Sequence, residues 1–402
     1  MILEKFFNYY FQSIDGDTLK KYRELLPGAT DLAAAYADLF SRSDEEAIAF
    51  LLDFHDLTAR LRQEKPEQAI LFNVHNNICF PFFMEYIWKV ISKEERLKIK
   101  EASGKEDIIE ITARLQEDLA LRNWFRQEIG SSLSQQDLFI LNEIIALQNF
   151  SSGGEYSFLK YVYPLVQRMQ GRVLDAGCGA GFATLVMSQF LTVHSVDACK
   201  ARLERAMALS SMMKKGEKKT FPRVIKLIEE ELGTMAVQCE FPSAEDLLAG
   251  TSREVTFTEG SIDSLPYKES YFDSINCLDV LEHTYSPEEI IKEFARVLKP
   301  GGRVFITAPT RYGEVEQRIW ESIEGTIFPA MLHMHHFDPQ SLTGMFKRNG
   351  FKEVEVVPFD FMSWEEFLEI AEKSPARELV EELRAHPFEQ VALQLFAVYE
   401  KR

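Results

Sequence analysis

Three glycines at alternate positions, Gly177, Gly179 and Gly181, follow the apolar run Val173-Leu174-Asp175-Ala176, and a second run, His194-Ser195-Val196, ends on the carboxylate of Asp197. The chemistry this spacing supports is recognition of a nucleoside. Glycines let a backbone bend sharply and approach a ligand where a Cβ would collide. A helix expected from about Phe182 to Gln189 points its N-terminus at that ligand, and a carboxylate at the tip of the next strand can accept two hydrogen bonds from a ribose diol. The spacing is GxGxG, because Phe182 stands where a dinucleotide fingerprint would place its third glycine. Two further segments carry groups able to move a proton, Leu278-Asp279-Val280-Leu281-Glu282-His283 and Leu332-His333-Met334-His335-His336-Phe337-Asp338. Imidazole titrates near neutral pH, so His283 and His335 are the candidate bases. Adjacent histidines in a loop do not have diagnostic ligand spacing, and no metal is expected.

The elements that must position these groups are marked on either side of them. Val173, Leu174 and Ala176 suit a buried parallel strand, and Asp197 ends the strand that follows the glycine turn and helix. Ser286, Pro287 and Glu289 predict a helix start with a capping box. Pro300-Gly301-Gly302 ends that helix and turns the chain into the apolar run Val304-Phe305-Ile306. Asp338-Pro339 begins another helix through Phe346, and Asn349-Gly350 stops it. Residues from Phe351 to Val357 alternate with period two, and Gln390 to Tyr399 supplies a last strand.

Taken in order, the Asp175-x-Gly177-x-Gly179-x-Gly181 turn, the block Glu259-Gly260-Ser261-Ile262-Asp263, the strand ending at Leu278 and the Lys299-Pro300-Gly301-Gly302 turn resemble class I S-adenosylmethionine-dependent methyltransferases of the small-molecule type. The resemblance covers roughly residues 155 to 402. It implies an α/β fold, a Rossmann-like seven-stranded sheet with helices on both faces whose last strand is antiparallel and inserted between its neighbours. It also implies S-adenosylmethionine as cofactor, with Asp175, Gly177, Gly179 and Gly181 around the methionine part and Asp197 on the ribose. Ser261, Ile262, Asp263 and Leu278 are the other cofactor residues it implies. Ser261 stands where the family usually carries an acid, so the adenine amino group falls to Ser261, to a backbone carbonyl or to Asp263, with Ile262 over the ring face.

Bulk properties bound the rest. At 402 residues two domains are expected, a mostly helical one over 1–150 and a methyltransferase domain over 151–402, with inserts at about 214–253 and 360–387. The boundary falls in the turn formers Asn149-Phe150-Ser151-Ser152-Gly153-Gly154. In the first region, apolar residues such as Leu115, Leu119 and Trp124 recur at helical spacing, and they surround the axis near Cys79 to Trp88. Its expected roles are helical core, acceptor pocket, docking module or homodimer seam. The net charge of −18, from 63 acidic against 45 basic residues, argues against nucleic-acid partners. Five scattered cysteines suggest reduced thiols, and no apolar run reaches the length of a membrane span, so a cytoplasmic protein is expected. Tyr312, Trp320, Phe328 and Met331 predict a lid over a small-molecule acceptor with an apolar body. The reading is methyl transfer to a small or medium-sized organic acceptor, the O, N, S or C nucleophile being left open. A protein methyltransferase with a helical docking module and a non-catalytic cofactor-binding protein are the alternatives.

Overall fold

In the computed structural model of the chain, residues 80–134, 165–179, 181–215, 254–313, 333–361 and 392–402 are described, with residues 137, 141, 315 and 381. Among the described residues, four helices come first: α1 (Phe80–Val90), α2 (Lys93–Ser103), α3 (Ile108–Glu117) and α4 (Leu119–Gly130). Their ends are set by local chemistry. Ser92 and Glu95 form a reciprocal capping box on α2, and Gly104, at φ 66°, closes it. Asp118 ends α3 and caps α4, accepting from the Leu121 amide at 3.0 Å. Phe83, Met84 and Ile87 of α1 are fully buried, as are Ile111 and Phe125. Helical periodicity over this stretch is therefore a core signal. Residues 1–79, the expected boundary near 149–154, nearly all of the insert expected at about 214–253 and the lid residues Trp320, Phe328 and Met331 lie outside the described residues.

The second group of elements is a wound sheet. It comprises β1 (Arg172–Ala176), α5 (Phe182–Ser188), β2 (Thr192–Asp197), α6 (Lys200–Lys215), β3 (Val255–Glu259) and β4 (Phe272–Leu278). A 3-10 turn (Leu281–His283), α7 (Pro287–Val297), β5 (Leu298–Pro309), α8 (Pro339–Arg348), β6 (Phe351–Phe361) and β7 (Ala392–Lys401) complete it. The strand order is β3-β2-β1-β4-β5-β7-β6. β1 to β5 are parallel, and β7 runs antiparallel between β5 and β6, with Val304 opposite Tyr399 and Val356 opposite Ala397. This is the seven-stranded Rossmann-like arrangement expected from the sequence. The chain moves outward from β1 through β2 to β3, then returns to place β4 on the other side of β1. That reversal opens a crevice at the carboxyl ends of β1 and β4, where open α/β sheets bind ligands.

Burial follows the sequence pattern. β1 is buried from Val173 to Ala176, and α7 turns Ile290, Ile291, Phe294 and Val297 inward at helical spacing. Phe346 of α8 stacks on Tyr399 of β7 at 3.9 Å between ring centroids. Two local expectations are corrected. Ser286 takes the N-cap position of α7 at φ −136° and ψ 75°, outside the extended region that aims a cap hydroxyl at the N3 amide, and makes no side-chain cap bond. Glu289 pairs instead with Lys292 at 2.6 Å. β6 continues to Phe361, so its end overlaps the insert expected from about 360. Among the described residues, no helix is long and apolar enough to cross a membrane.

Candidate functional site

The glycine turn is hooked onto the end of β2. Val196 O accepts from both Gly177 N (2.8 Å) and Cys178 N (3.1 Å), and Gly181 N closes the turn on Cys178 O at 2.9 Å. Asp197 then clamps it. One carboxylate oxygen accepts from Gly179 N at 2.8 Å, the other from Cys199 N at 2.8 Å, and the residue is 8% exposed. Its own carbonyl takes the Gly260 amide at 3.0 Å, so Asp197 joins the loops after β1, β2 and β3. Each carboxylate oxygen keeps a further acceptor site after these bonds.

The three glycines do different work. All have positive φ, 74° at Gly177, 54° at Gly179 and 83° at Gly181. A methyl placed on Gly177 would meet the side chain of Val280 at 2.6 Å, and one on Gly181 would meet Ala206 Cβ at 2.6 Å. Those two positions are small because the protein packs on them. Among the described residues the nearest atom over Gly179 is Arg202 Nη1 at 3.9 Å, so the middle of the turn is open on that side with a guanidinium at its lip.

Asp175, implied to lie around a ligand, sits beneath the turn at 2% exposure. Its oxygens accept from Thr184 Oγ1 at 2.5 Å and Asn276 Nδ2 at 2.9 Å, and the Thr184 hydroxyl also meets Ser195 Oγ at 2.9 Å. This network ties β1, β2, β4 and α5 together. Burial raises the Asp175 carboxyl to about 6, against the two hydrogen bonds, which favour its ionised form.

The loop after β3 carries the other implied residues. Ser261 and Asp263 are exposed, whereas Ile262, at 8% exposure, packs into the core with Val196 and Leu265. The loop is fixed from α7. Arg296 donates to Tyr267 O at 2.7 Å and Leu265 O at 3.0 Å, while Glu293 accepts from Leu265 N at 2.7 Å. Leu278 is half-buried at the end of β4. Beyond it Asp279 has φ 50°, a left-handed conformation that is uncommon outside glycine, asparagine and aspartate. Thr307 holds it there, its hydroxyl donating to the Asp279 carboxylate at 2.9 Å and its carbonyl accepting the Asp279 amide at 3.1 Å.

The two candidate bases reach the same edge. His283 lies in the 3-10 turn after Asp279, its Nε2 3.9 Å from Glu282 Oε1 and its ring 4.8 Å from that of His333. Glu282 O accepts from Met334 N (2.7 Å) and His335 N (3.2 Å), which stitches the loop after β4 to the loop before α8. His335 Nε2 is enclosed, with no hydrogen-bond partner among the described residues. His335 and the exposed His336 both line a cleft of about 360 Å³ with Ser286, Phe337 and Met345. Sequence reasoning nominated His283 and His335 but assigned no part to Arg202, Asn276, Asp279, Glu282 or Arg296. For Asp279 a signal existed, an acidic residue at the carboxyl end of a parallel strand. Glu282 adjoins the nominated His283, and Arg202, Asn276 and Arg296 are brought to the site by packing between elements far apart in the chain.

A family model described as a methyltransferase domain matches residues 154–356. Among curated proteins, the chain is 28% identical over 141 residues to a ubiquinone biosynthesis O-methyltransferase of Dechloromonas aromatica, covering 35% of this chain and 45% of that one. It is 28% identical over 156 residues to the protein of that name in Xanthomonas oryzae, covering 38% and 49%. The chain thus spans about half the length of the curated relatives it matches. Among solved structures, an S-adenosylmethionine dependent methyltransferase from Mesorhizobium loti is similar at 16% identity and a TM-score of 0.35, over 59% of this chain and 96% of that one. The family match extends over just over half of the chain and takes in every strand from β1 to β5, and by it the chain belongs to the class I S-adenosylmethionine-dependent methyltransferases.

Proposed function

We propose that the protein transfers a methyl group from S-adenosylmethionine to a hydroxyl-bearing organic acceptor of small or medium size at the carboxyl edge of the sheet. The observation that carries this reading is the turn itself, a backbone cradle open over Gly179 and clamped by a carboxylate with acceptor sites to spare. The residues fit the cofactor. Gly177, Gly179 and Gly181 line its methionine part, Asp197 takes the ribose hydroxyls, and the exposed Ser261 and Asp263 receive the adenine edge beside Leu278. Ile262 backs that loop from within the core, and Asp175 holds the turn from below. Arg202 adds positive charge at the lip.

The sulfonium, when bound, supplies an already activated methyl group. The protein then has to hold the acceptor oxygen in line and remove its proton. His335, whose amide is bound by the Glu282 carbonyl of the loop after β4, is the imidazole assigned to that proton. The choice of oxygen as nucleophile rests on the curated O-methyltransferases to which the chain is similar. Residues 1–150 are proposed as an accessory helical domain and the cell compartment as the cytoplasm, the latter from the acidic composition and the scattered cysteines.

Calorimetric titration of the full chain with S-adenosylmethionine and S-adenosylhomocysteine tests the cofactor reading, with micromolar binding of both expected. Labelled-methyl transfer into a cell extract, separated into small-molecule and macromolecular fractions, tests the acceptor. Label in the small-molecule fraction, stable to mild base as an ether is, supports it. Label confined to protein refutes it.

A further inference from the structure

We propose that Glu282, His283 and His333 form a binding site for a divalent transition-metal cation. Each side chain offers one ligand atom, and the three atoms lie within 4.8 Å of one another. The donors come from two loops at the carboxyl edge, and those loops are already joined. Asp279, in its left-handed conformation, tips the chain out of β4 into the 3-10 turn that carries Glu282 and His283. The Glu282 carbonyl then takes the amides of Met334 and His335, which fixes the backbone directly after His333. A built frame therefore brings together ligands that the sequence separates by a helix and a strand.

The spacing of the three ligand atoms suits an ion. Glu282 Oε1 and His283 Nε2 stand 3.9 Å apart. A hydrogen bond needs about 2.7–3.2 Å. Ligands about 2.0–2.1 Å from a tetrahedral ion stand roughly 3.4 Å from one another, so the set closes on a cation by small side-chain rotations. Two imidazoles with one carboxylate suit zinc, manganese or iron, whereas magnesium and calcium favour all-oxygen sets. Glu282 is 1% exposed and His283 24%, so the site is backed by protein on the carboxylate side and reachable from the imidazole side. Three protein ligands leave a coordination position free, the arrangement of a catalytic site and not of a closed structural one.

On the proposed O-methylation, that position would take the acceptor hydroxyl. Coordination lowers the pKa of a bound hydroxyl, and its proton passes to His335 or to solvent. The oxygen lone pair then forms the new C–O bond as the S–CH3 bond breaks, and its electron pair stays on sulfur. This chemical role depends on the methyltransfer reading, whereas the metal site does not.

The test titrates the chelator-treated full chain with Co²⁺, whose visible absorption reports coordination number, and with Zn²⁺ by calorimetry. One equivalent should bind with the intense bands of four- or five-coordinate Co²⁺. H283Q and H333Q should each weaken binding by more than about 100-fold, beyond the loss caused by an outer-shell partner. H336Q, at the exposed neighbour, should not. Folding of each variant is checked by S-adenosylhomocysteine titration. Should a variant fail to fold, Mn²⁺ broadening of histidine ring protons in the wild-type chain gives the same answer. Absence of Co²⁺, Zn²⁺ and Mn²⁺ binding with S-adenosylhomocysteine binding intact overturns the site and leaves the methyltransferase reading standing. Metal binding unaffected by H283Q and H333Q overturns it too. Metal binding without cofactor binding supports the site and refutes the cofactor reading.

Discussion

Gly179→Ala and Gly181→Ala add the same methyl group to the same turn, yet the structure gives them opposite consequences. Both residues have positive φ, 54° and 83°, which costs an alanine about 1–2 kcal/mol. At Gly181 the new methyl also meets Ala206 Cβ at 2.6 Å, roughly 1 Å inside ordinary carbon–carbon contact. Overpacking of that kind adds about 1–3 kcal/mol. Gly181→Ala should therefore lose about 2–5 kcal/mol in urea denaturation of the ligand-free protein, against about 1–2 kcal/mol for Gly179→Ala. Calorimetry with S-adenosylhomocysteine should rank them the other way. The Gly179 methyl enters the open cradle, and affinity should fall by about tenfold or more, equivalent to roughly 1.4 kcal/mol. Introducing Ala206→Gly beside Gly181→Ala should restore part of the lost stability, since the overlap is between those two residues. Equal destabilisation by both substitutions, or full ligand affinity in a folded Gly179→Ala protein, would refute the division of labour within the turn.

Other consequences follow from the same geometry. Asp197→Asn leaves one of two amide donors facing an NH2 group, and loss of a charge-assisted bond of about 1.5–3 kcal/mol should raise the S-adenosylhomocysteine Kd by roughly 10- to 100-fold. A Kd within twofold of wild type would place the ribose elsewhere. Arg296→Met removes the donors to Tyr267 O and Leu265 O, so amide exchange across residues 261–267 should accelerate and stability should drop by about 1–3 kcal/mol. Unchanged protection there would show that the loop is held by other contacts. The Asp175 carboxyl, raised from 3.8 to about 6, keeps its proton in the folded state over a window where the unfolded chain has released it. Stability from this group is thus full at low pH and is lost as pH rises from about 4 to 6, by roughly 3 kcal/mol at 1.36 kcal/mol per unit. Asp175→Asn carries a pH-independent offset from its lost acceptor, but its stability relative to wild type should improve across that window. Parallel stability curves for the two proteins would contradict the assignment.

Much of the fold could be read from short stretches of sequence. Alternate glycines after an apolar run fix the turn between β1 and α5, and Asp338-Pro339 and Asn349-Gly350 mark both ends of α8, because caps and positive-φ positions are properties of a few adjacent residues. The Ser286 capping box failed on the same logic. Its residue types were right, but the backbone leaving the 3-10 turn set a ψ that points the hydroxyl away.

Within the site, the sequence by itself determined the glycine turn, the carboxylate of Asp197 at the tip of β2 and the presence of imidazoles after β4 and β5. Only the tertiary structure decided that Asp175 is a buried support joined to Asn276, that of the turn's three glycines it is Gly179 that has room above it among the described residues, and that Glu282 and His283 meet His333. Backbone conformation at a turn responds to its immediate neighbours. Which distant side chains meet depends on strand order and register, and these are set by how the whole sheet buries its apolar faces.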